Sequence, residues 1–208
     1  MSAQIRPAIT SQDWESIRLI CCLTGLGGNP ISDARRPFFA EQWIGPYQLL
    51  PSLSYVSELG GEITGYLVAA QDTRYFEKMK ALKFELGLSA KVLLRQYPPN
   101  SDTRRFLKRR LGLERGPEQS FPKRFLRHLK SEYPAHLHMN VTAQARGQKT
   151  GAKLVERLKE DLRQSGVYGV HLFCGEGPIA FYEKQGFHVL HRIEFRPEVF
   201  VYALGARI

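Results

Sequence analysis

Apolar positions along this chain recur with two different periods, and each change of period marks a structural element. Leu154, Val155, Leu158 and Leu162 fall at helical spacing, with Lys153, Glu156, Lys159, Glu160 and Arg163 between them. That pattern predicts an amphipathic helix, closed by Ser165-Gly166. Just upstream, Leu137, Met139 and Val141 alternate with His136, His138 and Asn140, as in a strand with two unlike faces. Toward the N-terminus, IRPAI predicts a short strand. A helix follows from Ser11, whose hydroxyl is placed to cap it, with Trp14, Ile17, Leu19 and Ile20 as its apolar contacts. Gly25, Gly27 and Gly28 break that helix, and ARRPFFAEQWIG predicts a second. Two apolar runs flank Gly60-Gly61 in LSYVSELGGEITGYLVAAQDT, a strong hairpin signal. After Gly166, GVHLFC predicts a strand, GEGP a turn, and PIAFYEKQ a helix with Pro178 suited to its first turn and Gly186 past its end. FHVLHRIEF and VFVYALGARI predict two closing strands about Arg196-Pro197.

The order of these elements is that of a mixed α/β sheet flanked by helices, and 208 residues suit one domain spanning 1–208. Charge adds a refinement. From Arg74 to Lys130 there are 16 Lys or Arg against 5 Asp or Glu, while the remaining chain has 14 against 15. The whole excess behind the net charge of +10 therefore lies in one helical-looking segment, about 74–130, broken by Pro98-Pro99, Gly116-Pro117 and Pro122. It reads as a basic insertion between the hairpin and the central strand. Such a segment suits phosphates, an acidic protein or a nucleic acid, but Phe106, Phe121 and Phe125 at helical spacing suit a core better, so nucleic acid is not the expected ligand. No apolar run is long enough to span a membrane, and MSAQIRPAITSQDW lacks the apolar core of a secretory signal. Cys21, Cys22 and Cys174 have no metal-ligand spacing, and His136 with His138 lacks a Cys or carboxylate to complete a site. No metal is expected, and a reduced cytoplasm is the expected compartment.

Between the central strand and the amphipathic helix runs VTAQARGQKTG. A strand, a Gly-containing loop and a helix aim the free N–H groups and positive dipole end of the helix at the loop, which suits an anion. A P-loop would need Gly directly before its Lys-Thr, where Gln148 stands, and a dinucleotide fingerprint needs a third glycine beside Gly147 and Gly151. RGQKTG instead resembles the pyrophosphate loop of the GNAT acyltransferases. Arg146 and Gly151 match its outer positions, and Lys149 stands where the inner Gly is expected. AFYEKQGF, Ala180 to Phe187, resembles the same family's FYxxxGF segment. With the hairpin, the resemblance covers Leu53 to Thr73 and Tyr133 to Ile208. YPAHLHMNV and the hairpin look most like the acetyltransferase-like domain at the C-terminal end of O-GlcNAc hydrolases and its free-standing bacterial relatives.

The resemblance implies a GNAT fold, acetyl-CoA as cosubstrate, and transfer of its acetyl group to a small-molecule or protein amine by direct attack in a ternary complex. It implies cofactor contacts from Met139, Asn140, Val141, Arg146, Gly147, Gln148, Lys149, Thr150, Gly151, Phe181 and Tyr182. Tyr182 matches the position of a tyrosine that protonates the departing thiolate in many relatives. Asn140 falls where an acidic residue is expected, which leaves His138, Glu58 and Asp72 as candidate bases. GEGP lacks the Asn that relatives often carry there. These departures keep open a non-catalytic acyl-CoA binder, and the basic segment keeps open a nucleic-acid-binding module. Either a monomer or a homodimer is compatible with the closing strands.

Overall fold

The computed structural model describes residues 3–208, so Met1 and Ser2 lie outside the described residues. Seven strands form one sheet in the order β1-β2-β3-β4-β5-β7-β6. They are β1 (Gln4–Pro7), β2 (Ser54–Leu59), β3 (Glu62–Ala70), β4 (Ala135–Val141), β5 (Gly169–Cys174), β6 (His188–Arg196) and β7 (Val199–Arg207). Every neighbouring pair is antiparallel except β4 and β5. The β2-β3 hairpin turns on Gly60 and Gly61, both with positive φ, +61° and +85°, the left-handed pair that suits a tight hairpin.

The alternation along β4 sorts its side chains onto opposite faces. Leu137 packs with Leu154, Val155, Leu158 and Leu162 of α7 (Thr150–Gln164), all buried. Each such side chain contributes roughly 1.5–3 kcal/mol over an exposed one, so this stripe anchors one layer. The other face carries α1 (Ser11–Thr24) and α2 (Arg36–Ile44), with Trp14, Ile17 and Ile20 against Val56, Tyr66 and Val68. The cap of α1 is Thr10 rather than Ser11. Thr10 Oγ1 accepts from the Asp13 N–H at 3.1 Å, and the Asp13 carboxylate accepts from the Thr10 N–H at 2.9 Å. This capping box leaves Ser11 as the first helical residue.

The basic segment forms α3 (Thr73–Met79), a π-helical turn (Lys80–Phe84), α4 (Glu85–Leu93), α5 (Ser101–Arg110) and α6 (Lys123–Glu132). Its aromatics are core. Phe106 packs with Phe38 of α2 and Leu88 of α4, and Phe121 with Leu129 and Ala203. The segment therefore covers the α1-α2 face of the sheet.

His171 of β5 is buried, with Nδ1 2.6 Å from the Tyr133 carbonyl oxygen. Desolvation lowers its pKa from 6.5 to about 4, so the folded chain holds it neutral. A folded pKa depressed in this way gives a histidine's contribution in full above pH 6.5, and it is lost as pH falls toward 4. From this residue alone, stability at pH 5 is expected to be about 2 kcal/mol below that at pH 8, measured by urea unfolding at each pH. Equal midpoints would contradict a neutral buried imidazole.

Candidate functional site

Parallel pairing between β4 and β5 is confined to Ala135↔Val170 and His136↔His171. Beyond that point β4 stays paired with β3 as far as Val141, and β5 with β7 as far as Cys174. The two strands therefore diverge into a wedge. Along β4 from Leu137 to Val141, alternate backbone N–H and C=O groups face this wedge without a strand partner. An extended chain segment of a ligand is what such an edge accepts.

The wedge ends at the loop before α7. Gly147 has φ +80° and Lys149 φ +59°, after which the helix begins at Thr150 with no side-chain cap. The first-turn N–H groups thus keep their donors for an outside acceptor. Buried Oγ1 atoms of Thr142 and Thr150 also lack hydrogen-bond partners, so the polar groups here fit an anionic guest. Arg146 and Lys149 are exposed. The Arg146 guanidinium leans over Gly28, where a Cβ would stand 3.0 Å from Nη2, joining this loop to the one after α1. At Gly151 a Cβ would lie 3.0 Å from Phe181 Cζ, so the glycine lets the Phe181 ring approach the helix start.

Lys149 occupies the left-handed backbone that the sequence pattern reserves for glycine. A non-glycine residue there costs about 1–2 kcal/mol, partly offset because glycine loses more entropy on folding. Lys149→Gly is expected to stabilise the protein by about 0.5–1 kcal/mol, read as a higher urea midpoint at unchanged slope. A lower midpoint would mean that the lysine side chain holds the loop.

Tyr182 of α8 (Ile179–Lys184) is buried, its ring 5.1 Å from Phe181 and 5.5 Å from Phe187 between centroids. Desolvation first, and then the neighbouring Cys174, raise its phenol pKa well above the usual value. It stays protonated at neutral pH. Met139 and Val141 pack partly buried against the same core.

On the opposite face His138 is half-buried, its Nε2 3.4 Å from Tyr66 Oη and 3.3 Å from Asn140 Nδ2. Asn140 Nδ2 donates to Tyr66 Oη at 2.8 Å. Desolvation lowers the His138 pKa to about 4, so the imidazole is neutral and able to accept a proton, though weakly basic. Glu58 and Asp72 are not brought to this cluster. Glu58 pairs with Arg6 Nε at 3.0 Å beside α1, and Asp72 caps α3 by accepting from the N–H groups of Arg74 and Tyr75. Among the described residues, no group of three or more His, Cys, Asp or Glu is placed to hold a metal ion.

Sequence reasoning passed over Trp43 and Tyr47. Trp43 stands edge-on to His138, with centroids 6.1 Å apart, and Tyr47 Oη lies 3.0 Å from His136 Nε2. Trp43 lies in the stretch read as a second helix and Tyr47 just after it, and neither position carries a pattern that marks a site.

Residues 124–189, from α6 through α8 to the start of β6, match the family model described as an acetyltransferase (GNAT) domain. The chain is similar to the crystal structure of SsHAT at 26% identity and a TM-score of 0.76, covering 100% of this chain and 98% of that one. It is also similar in fold to Ard1 from Thermoplasma volcanium, at 14% identity and a TM-score of 0.59, covering 100% and 99%. A ribosomal-protein-alanine N-acetyltransferase from Brucella melitensis matches at 16% identity and a TM-score of 0.55, covering 99% of each chain. The fold is the GNAT fold, and residues 124–189 carry the match to the acetyltransferase domain.

Proposed function

We propose that the protein is an acetyl-CoA-dependent N-acetyltransferase. The observation that carries this reading is the β4-β5 wedge ending at the uncapped start of α7. Backbone of Met139, Asn140 and Val141 would hold the extended arm of the cofactor. The loop from Arg146 to Gly151 would hold its pyrophosphate, with charge from Arg146 and Lys149. Phe181 and Tyr182 would close the wedge from α8. When bound, the cofactor supplies an activated thioester. The chain's own contributions are fixed backbone donors toward the carbonyl and a protonated Tyr182 to serve the departing sulfur. The resemblance of YPAHLHMNV and the hairpin to the acetyltransferase-like domain of O-GlcNAc hydrolases and its bacterial relatives supports the same reading.

Acetyl-CoA at ten times its Kd is expected to stabilise the fold by about 1.4 kcal/mol, raising the melting temperature by about 3–6 °C. Mixing with an amine panel should then release free thiol. No change in melting temperature at millimolar acetyl-CoA would refute the proposal. A second reading, a non-catalytic acyl-CoA binder, is favoured by the Asn140 amide, which donates to Tyr66 where a carboxylate would serve as base. Stabilisation without thiol release from any amine would select it.

A further inference from the structure

Beyond Trp43, on the α1-α2 face, an open cleft has a cavity volume of about 170 Å³. That size admits a molecule of few heavy atoms. It lies between α2, the π-helical turn with α4 and α5, and the turn Gly116 to Gln119, with Trp43, Phe84 and Phe106 as its aromatic lining. Two of its charges satisfy each other, since Arg110 Nη1 donates to Glu85 Oε2 at 2.8 Å. Lys80 Nζ also lies 3.9 Å from Glu85 Oε1.

Glu118 and Arg109 are different. The Glu118 residue is exposed, and Lys80, Lys130 and Arg109 act on its carboxyl through charge alone, with no hydrogen bond. Arg109 reaches Glu114 only at 3.8 Å, and its buried Nε–H has no acceptor. The guanidinium itself is only part-buried, and an unpaired buried Nε–H on it is a cost that a ligand oxygen would relieve.

The cleft also adjoins the central strand. Trp43 lines it and meets His138 edge-on. The charge of Glu118 is felt at Tyr47, which bonds to His136. A molecule seated here approaches β4 from the face opposite α7.

Resting on the acetyltransferase reading, we propose that this cleft is the acceptor site and takes a small amine that also carries an anionic group. Glu118 receives the ammonium and Arg109 the carboxylate or phosphate. A purely cationic amine would leave Arg109 unpaired, and the aromatic rings cover the carbon frame between the two charges.

The test pairs amines that differ only in an anionic group, such as amino acids and their decarboxylated counterparts, in a thiol-release assay with acetyl-CoA. Binding of the same pairs to protein saturated with coenzyme A is measured by calorimetry. Zwitterionic members are expected to give at least a 10-fold higher kcat/KM or affinity. Glu118→Gln should lower either by 10-fold or more, and Arg109→Gln should erase the preference, with the acetyl-CoA melting shift unchanged in both. If R109Q melts early, E118Q, which breaks no side-chain hydrogen bond, still decides. Turnover or binding by E118Q equal to the unaltered protein, or no preference within the pairs, overturns the proposal. Loss of the acetyl-CoA shift in the unaltered protein instead refutes the donor-site reading, and the calorimetric pairs, repeated without cofactor, then judge the cleft by the same criteria.

Discussion

Asp13→Ala is expected to cost about 2–3 kcal/mol of stability, because it takes two hydrogen bonds from a part-exposed guanidinium and strands two backbone donors at once. Asp13 is 1% exposed. Its Oδ1 accepts from Arg6 Nη2 at 2.8 Å and its Oδ2 from Arg6 Nη1 at 3.0 Å. The N–H groups of Ile9 and Thr10 each reach Oδ2 at 2.9 Å. One carboxylate thus closes the capping box and ties β1 to α1. The same guanidinium extends to Glu58 on β2. Arg6 above all, and the backbone donors with it, hold the Asp13 carboxyl well below the usual carboxylate range. Such a depressed folded pKa gives stability that is present above about pH 4 and lost as pH falls further. The gap between the unaltered protein and the variant should therefore be full at pH 7 and shrink below pH 4. Guanidinium unfolding at pH 7 and pH 3 measures it. A loss under 1 kcal/mol at pH 7 would show that the bonds are replaced by water.

Tyr182→Phe is expected to lower kcat by a factor on the order of 10²–10³, provided an acceptor is turned over. It should leave the melting temperature within about 2 °C and the acetyl-CoA shift unchanged. The ring's contacts with Phe181 and Phe187 survive the substitution, so packing cannot explain a rate loss. Only the hydroxyl goes. Its raised pKa keeps the proton on the oxygen at neutral pH, so the hydroxyl meets a departing thiolate as a hydrogen-bond donor. Steady-state kinetics with separate kcat and KM decide the matter. A variant as fast as the unaltered enzyme would assign Tyr182 to the core alone.

How much of this was legible in the sequence depended on whether a feature is local. The α7 stripe is periodic, and the Gly60-Gly61 turn is a dipeptide, so both follow from neighbouring residues. Lys149 is instructive, since it breaks the glycine pattern in letters yet keeps a glycine-like backbone, φ +59°. Glu58 and Asp72 drew attention as carboxylates. Their work as an ion-pair partner and a helix cap lies in Arg6, some fifty residues away, and in the backbone of α3. The cleft was illegible for the same reason. Trp43, Phe84, Phe106 and Glu118 come from four separate stretches, and no periodicity within any one of them reveals that they converge.

Two residue pairs are all that join β4 to β5, and this makes the sheet a pair of leaves sharing a narrow seam. One leaf carries β1 to β4 and the α7 loop, the other carries β5 to β7 with α8 beside them. A guest lying along the gap would act as a missing rung and bind leaf to leaf. Its arrival and departure would then be a change in the rigidity of the whole sheet, felt as far away as the cleft behind Trp43.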